Sequence, residues 1–592
     1  MNKGLSMSNT DIPRPEHPRP QFFREDWINL NGPWSYTFDF GESGGDPGRG
    51  LSNSTGFDDA ITVPFCPESE LSGVGHKDFI TAMWYHRKIQ IPDGWDGQRI
   101  LLHFGAVDYE CQAFVDGVAV GTHFGGTVSF TFDITRQSRA GAEHDLVVRV
   151  KDENRGANQP SGKQCRAFQS HGCHYTRTTG IWQTVWLEAV AMSGLRDAQI
   201  IPDFDGSTFS ILPRYHAVQA GLRLTVEATA GGNVVAQAEG PAANGVPVTL
   251  TLDDAKPWSP ADPFLYGIHL KVKNAAGETI DTVNSYAGLR KVHIEGNRCY
   301  LNNEPLYQRL VLDQGFYPDG IWTAPNDEAL KNDIVLSMKA GFNGARLHQK
   351  VFEERFHYWA DTLGYLTWGE TASWGCDYNT IEGARNFITE WSEIIIRDRN
   401  HPSLIAWTPW NESADYRDAA QHTRLHVDSY RICKDLDPTR PVNDASGYLH
   451  HITDLWTVHN YEQDPEKLRG ALTPNEERGV WRNIPEKESD YLGQPYIIDE
   501  YGGIKWISSE DRVFAEDSWG YGDSPKTLEE FYTRLDALTQ VILDQEHMSG
   551  YCYTQLTDVE QEQNGIYNYD RSEKFDMQRI AGIFGREPAA QG

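Results

Sequence analysis

Residues 326–347, NDEALKNDIVLSMKAGFNGARL, decide the architecture of the C-terminal half of this 592-residue chain. Asn326 is a capping residue, Asp327 and Glu328 place acids in the first turn, apolar residues recur at helical spacing, and Gly341 ends the run. The pattern predicts an amphipathic helix over 326–341, followed at once by a short apolar strand, Gly344–Leu347. Moving along the chain, the spacing gives a helix over about 351–363, a strand Tyr365–Trp368, a helix over about 381–398, and a strand Leu404–Trp407 running into Trp410-Asn411-Glu412. Helices alternating with short apolar strands imply a parallel sheet. Residues 293–592 suffice for eight such units, so the expected fold is a (β/α)8 TIM barrel. One interval fits poorly. About ten residues separate the candidate strands Pro441–Asn443 and Leu455–His459, fewer than the dozen or so of a parallel crossover.

Upstream the period changes to that of strands. Residues 1–190 contain near-alternating runs such as RILLHFGAVDYECQAFVDGVAVGTHFGGTVSFTFDIT, in which Asp116-Gly117 is a hairpin signal, and they read as a β-sandwich. Residues 191–292 read as a second sandwich of immunoglobulin-like size. The Pro-rich opening, MNKGLSMSNTDIPRPEHPRP, is expected to be extended or disordered.

Hydrophobic residues make up 39% of the chain and charged residues 23%, which provides several cores and excludes a disordered chain. Eighteen tryptophans provide flat faces able to cover sugar rings, although filling cores is their commoner use. A net charge of −31 opposes nucleic acid and anionic membrane surfaces as partners. The eight cysteines form no CxxC pair and fit a reducing compartment. No stretch of about 18 apolar residues and no signal-type apolar region occurs, so a cytoplasmic location is expected unless a leader has been lost. A homo-oligomer is left open.

In a TIM barrel the reacting groups stand at the C-terminal ends of strands. Glu412 ends LIAWTPWNE and Glu500 ends PYIIDE, 88 residues apart, about the span of three barrel units. Two carboxylates in one cavity can cleave a glycosidic bond, one delivering a proton and the other attacking the sugar. Taken singly, each is more simply a charged residue at a strand end.

Several separated segments carry a resemblance that favours the catalytic reading. RDRNHPSLIAWTPWNES (397–413) resembles the acid/base signature of glycoside hydrolase family 2, the β-galactosidases, β-glucuronidases and β-mannosidases, and PYIIDEYGG (495–503) is similar to its nucleophile strand. WINLNGPWSYTFDF, ITVPFCPES, Trp84 to Arg87 and RTTGIWQTVWLE (177–188) resemble the family's sugar-binding sandwich, and YAGLRKVHIEGNRCYLNNEPLYQRL its passage into the barrel. The resemblance implies a jelly-roll sandwich, an immunoglobulin-like sandwich and a barrel, with Glu412 as acid/base, Glu500 as nucleophile, Asn411 on the sugar 2-hydroxyl and Arg346 steadying Glu500. It also makes Tyr461 a candidate hydrogen-bond donor to the nucleophile. His348, Asp313, Glu370 and His459, all following apolar runs, are candidates for sugar hydroxyls, and Trp410 joins the substrate-binding set.

The chain departs from the family where Arg346-Leu347-His348-Gln349-Lys350 and Leu310 to Gly315 replace its usual clusters. NGIYNYDR (564–571) lacks the lysine with which β-glucuronidases of the family bind the sugar carboxylate, leaving Arg571 or Lys505 as substitute cations. The expected activity is an exo-acting retaining hydrolase with a β-galactoside as first choice, an α-L-arabinoside as competitor and a β-glucuronide behind them. A transglycosylase, or a carbohydrate-binding protein without turnover, is the alternative. Neither GxxxxGK[ST] nor GxGxxG accompanies a βαβ unit, and the grouped Cys165, His171, Cys173 and His174 match no standard zinc spacing, so no cofactor or metal is expected.

Overall fold

The computed structural model describes residues 12–46, 49–507 and 517–589. Two sheets form the first sandwich. One has four strands in the spatial order 27–29, 185–190, 99–104, 130–133; the other has six, in the order 59–63, 32–38, 82–90, 143–151, 110–115, 118–124. Asp116 and Gly117 join the last two, with φ values of 48° and 78°. Two successive left-handed residues make the turn whose twist matches its flanking strands, so the Asp-Gly signal has its expected outcome. A second sandwich stacks a three-stranded sheet (195–203, 208–215, 248–251) on a four-stranded one (223–230, 233–241, 266–273, 279–287), and their inward apolar residues share one core.

Eight parallel strands form the barrel: β1 (Gln308–Asp313), β2 (Gly344–Leu347), β3 (Leu366–Glu370), β4 (Leu404–Thr408, continuing as Trp410–Asn411), β5 (Ala445–Ser446), β6 (Trp456–Asn460), β7 (Tyr496–Gly502) and β8 (Met548–Thr554). β8 pairs with β1, so seven strands form one curled parallel sheet, while β5 pairs with the end of β4. Around them lie α1 (Asp327–Lys339), α2 (Glu354–Leu363), α3 (Ile381–Asp398), α4 (Ala419–Leu436), α5 (Pro465–Leu472), α6 (Leu528–Leu543) and α7 (Met577–Phe584). The Asn326 side chain accepts from the Ala329 N–H and so caps α1, as its sequence suggests.

The tight interval has a simple resolution. Val442 makes only an isolated bridge to Trp407, and β5 is the two-residue strand Ala445–Ser446, which pairs with Trp410–Asn411. No helix joins β5 to β6 among the described residues. A side chain spans the gap instead: Thr457 Oγ1 accepts from Gly447 N at 3.1 Å and donates to Ala445 O at 3.2 Å.

The opening segment is not a linker where it is described. Arg14 is buried and its guanidinium forms two bonds of 2.8 Å to Glu353 beside α2, while Arg24 pairs with Asp281 and Glu188. These ion pairs tie residues 14–24 to both sandwiches and the barrel; residues 1–11 lie outside the described part. No helix among the described residues is long and apolar enough to cross a membrane.

Candidate active site

Glu412 and Glu500 come together at the C-terminal mouth of the barrel, each through a local break in regular structure. In a regular strand successive side chains alternate, so Asp499 and Glu500 should face opposite ways. The ladder of β7 with β6 shifts register between Val458 and His459, pairing His459 with Glu500 and skipping Asp499; the ladder with β8 shifts between Ile498 and Tyr501. An irregularity of this kind re-aims a side chain, and both carboxyl groups reach the barrel interior. At the end of β4, Glu412 takes φ = 49°, a left-handed conformation for a residue with a side chain, and its N–H donates to Ser446 O at 3.0 Å.

Arg346 organises the floor of the cavity. Its Nε donates to Glu370 at 2.9 Å, one terminal nitrogen to the Asp499 carbonyl at 2.9 Å, and the other to Glu500 Oε1 at 2.7 Å and Asn411 Oδ1 at 3.0 Å. Tyr461 donates to Glu500 Oε2 at 2.5 Å and stacks on Tyr521, ring centroids 3.5 Å apart. His459 lies between the carboxylates, with Nδ1 2.8 Å from Glu412 Oε1 and 3.5 Å from Glu500 Oε2. Ligand-type atoms of Glu412, His459 and Glu500 all fall within 4.8 Å of one another.

The electrostatics follow from these contacts. Burial would raise the Glu500 pKa, but the charges of His459, Arg346 and Lys163 and the Tyr461 hydrogen bond outweigh it and bring it down to about 2. Burial would lower that of His459, but Glu500, Asp499 and Glu412 raise it to about 9. Glu500 is therefore an anion and His459 a cation at neutral pH. Burial pushes Glu370 up to about 7 against the pull of Arg346.

The remaining sequence candidates divide. His348 is driven to its neutral form by burial and by the charges of Lys163 and Arg346, and its Nδ1 accepts from Arg346 at 2.5 Å. Glu370 Oε1 stands 3.1 Å from the same nitrogen. The Nδ2 of Asn411 is buried without a protein partner among the described residues, which leaves it free for a sugar hydroxyl. Three candidates fall elsewhere. Glu370 has no exposed side-chain surface and holds Arg346 and the Gln349 N–H rather than a sugar. Asp313 is buried, accepts from Gly315 N at 2.9 Å, and sits among Asp333, Arg571 and Lys350, its pKa pushed up to about 7 by burial and by Asp333. Trp410 is a core residue that stacks on Phe387 of α3 at 3.6 Å and donates to Ser429 of α4. The two substitute cations are engaged as well: Arg571 pairs with Asp333 through two 3.0 Å bonds, and Lys505 donates to Ser518 O at 2.6 Å.

Sequence reading missed Asp499, Tyr521, Trp374 and Lys163. Trp374, beyond β3, donates to the Asn411 carbonyl at 3.1 Å, and Lys163 of the first sandwich stands 5.0 Å from its ring. A strand-end rule applied to the neighbour of Glu500 could have found Asp499; nothing local marks the other three.

Apart from the cluster at the barrel mouth, His422, His426 and His451 lie close enough to share a metal. Their nitrogens already bond to one another, to Ser413 and to the α4 backbone, so the group is held together without one.

A pair of acidic side chains, one ionised by an arginine and a tyrosine, at the mouth of a (β/α)8 barrel flanked by two sandwiches defines a glycoside hydrolase. Models described as glycosyl hydrolases family 2, sugar binding domain, glycosyl hydrolases family 2, and glycosyl hydrolases family 2, TIM barrel domain match residues 72–186, 214–290 and 293–584, and the chain belongs to that family. It is 26% identical over 464 residues to a β-glucuronidase of Paenibacillus borealis, covering 72% of this chain and 74% of that one. It is 23% identical over 519 residues to a β-galactosidase of Thermoanaerobacter pseudethanolicus, covering 83% of this chain but 63% of the relative. The solved β-glucuronidase of Ruminococcus gnavus in complex with D-glucuronic acid superposes with a TM-score of 0.78 at 19% identity, over 95% of this chain and 99% of that one, a likeness of fold.

Proposed function

We propose that the enzyme removes one terminal sugar from a glycoside by double displacement, with Glu500 as nucleophile and Glu412 as acid/base. The observation that carries this reading is the closeness of the two carboxyl groups, with oxygen atoms within 4.8 Å. Retaining glycosidases hold theirs at about 5–5.5 Å, whereas inverting ones leave about 6.5–9.5 Å for a water. Glu500, ionised and gripped by Arg346 and Tyr461, attacks the anomeric carbon while Glu412 gives its proton to the departing oxygen. Glu412 then takes a proton from the water that releases the sugar. Asn411, held at its oxygen by Arg346, presents Nδ2 to the 2-hydroxyl as the oxocarbenium-like transition state forms. The first-sandwich loop beside Trp374 supports a pocket for a single terminal residue. A β-galactoside is the leading substrate and an α-L-arabinoside the competitor; the engagement of Arg571 and Lys505 weakens the case for a glucuronide.

The test is a panel of para-nitrophenyl glycosides with wild type, Glu412→Gln and Glu500→Gln. A slow 2-fluoro glycoside of the hydrolysed sugar should add one glycosyl mass to the peptide containing Glu500. Label on any other residue, or full turnover by Glu500→Gln, refutes the assignment.

A further inference from the structure

The structure assigns Lys163, carried into the barrel mouth by the first sandwich, as a sugar-binding residue that shares one substrate hydroxyl with Glu562 and so selects a neutral sugar over a uronide. This rests on the glycosidase reading above and narrows its substrate class.

The loop carrying Lys163 is fastened to the barrel at both ends. Ser161 N and Gly162 N donate to Trp374 O at 2.9 and 3.0 Å, and Gly162 N also reaches Ala372 O at 3.1 Å. Gly162 has φ = 57°, and a Cβ there would stand 2.1 Å from the Gln349 carbonyl, so only glycine permits this approach. Farther along, Gly172 O accepts from Trp519 at 2.5 Å and from Gln561 at 2.7 Å. The position of Lys163 is thus set by backbone contacts rather than by its own charge.

That charge faces the Trp374 ring but no acidic or carbonyl partner among the described residues. Lys163 is 7% exposed, and among the described residues no hydrogen bond or ion pair reaches its Nζ. The ammonium keeps a small opening to the cavity, where a substrate group that accepts a hydrogen bond can take the place of its water. Its Nζ lies 5.0 Å from the ring of Trp374, whose indole N–H donates to the Asn411 carbonyl, which puts it beside the catalytic cavity, and the carboxyl groups of Glu562, Glu500 and Glu412 help to raise its pKa against burial. Glu562 is 2% exposed and fixed by Tyr175, whose hydroxyl donates to Oε2, and by Asn564, which donates to Oε1 at 3.1 Å. Each carboxylate oxygen retains acceptor capacity.

An ammonium and a buried carboxyl group, its pKa raised by burial, that do not close into an ion pair suit a group that both accepts and donates. A sugar hydroxyl does both: it accepts from Lys163 and gives its proton to Glu562. A uronate carboxylate could accept from Lys163 but has no proton for Glu562, which would repel it. The neighbouring cations cannot compensate. Arg571 is bound to Asp333, and Lys350 donates to Gly315 O at 2.5 Å and Trp322 O at 2.7 Å.

The experiment measures kcat and KM of wild type, Lys163→Met, Glu562→Gln and the double variant on the para-nitrophenyl β-galactoside, both α-L-arabinosides and the β-glucuronide, with melting temperatures to verify folding. Wild type is expected to favour a neutral glycoside over the glucuronide by at least about 100-fold. Each substitution should lower kcat/KM on it about 10- to 100-fold, mainly through KM, and the double variant should lose little more than either single one. A wild type that prefers the glucuronide overturns the inference, as does an unchanged KM in a folded Lys163→Met. If no glycoside is cleaved, or Glu500→Gln retains turnover, it is the catalytic reading that fails. Saturation-transfer NMR of the same proteins with D-galactose, L-arabinose and D-glucuronate then decides the Lys163 question. Preference for D-glucuronate, no binding of either neutral sugar, or binding by Lys163→Met equal to wild type refutes it.

Discussion

His459 should remain an imidazolium well into the alkaline range, and this protonation state underlies the charge balance of the cavity. The residue is 5% exposed, so burial alone would favour the neutral form. Against this stand Glu500 at 3.5 Å, Asp499 at 3.4 Å and Glu412 at 2.8 Å, which raise the pKa from 6.5 to about 9. At about 1.4 kcal/mol per pH unit, the folded protein favours the cation by about 3 kcal/mol relative to the unfolded chain. Because the folded pKa is the higher one, this stabilisation is complete below pH 6.5 and is lost as pH rises through 9. Glu500 behaves in the opposite sense: with its pKa lowered from 4.5 to about 2, its contribution is present above pH 4.5 and is lost as pH falls through 2. The His459–Glu500 attraction enters both quantities, so they do not add. The assay is NMR titration of protein labelled at histidine Cε1, with His459→Gln identifying the resonance. A midpoint near 9 is expected, moving down by about one unit or more in Glu500→Gln, which removes the largest favourable charge. A midpoint at or below 6.5, or one that ignores Glu500→Gln, refutes the electrostatic argument.

Tyr461→Phe removes a hydrogen bond to an ionised carboxylate, worth about 1.5–3 kcal/mol, so kcat should fall about 10- to 100-fold with little change in melting temperature, as measured by steady-state kinetics and calorimetry. Trp410→Ala empties a site packed against Phe387 and should cost about 3–5 kcal/mol in denaturant unfolding, whereas Trp410→Phe should keep KM within about threefold; a large KM change in the Phe variant would restore Trp410 to the sugar. Asp333→Asn breaks the buried pair with Arg571 and should lower stability by about 3–5 kcal/mol in the same unfolding assay without creating glucuronidase activity.

Local chemistry made much of the barrel legible. The α1 cap, the β2 strand at Gly344–Leu347 and the α3 helix at Ile381–Asp398 all depend on neighbours within a few residues, and each forms where its pattern places it. The Pro-rich opening reads as a linker only by composition. Its long-range partner Glu353 lies 339 residues from Arg14, just as Glu188 and Asp281 lie 164 and 257 residues from Arg24 beyond it, and no periodicity reports them. Lys163 belongs to the same class, since its place over the cavity is set by contacts between a sandwich loop and the barrel.

The errors within the site have a different origin, because reading along a strand assumes alternation and both catalytic strands break it. Strict alternation after Trp410 would place Asn411 in the cavity and send Glu412 outward with the tryptophan. The left-handed φ of Glu412 turns its carboxylate back to His459, so two consecutive residues serve the cavity while Trp410 faces α3 and α4. On β7 the skipped pairing does the same for Asp499 and Glu500, and the extra carboxyl is used: Asp499 accepts from Ser446 at 2.6 Å and stands 3.4 Å from His459. A negative group on the far side of the imidazole helps to keep it charged, and the charged imidazole helps to keep Glu500 ionised. The departures from regular strand geometry therefore supply the electrostatics, and they are the features that hydrophobic periodicity cannot encode.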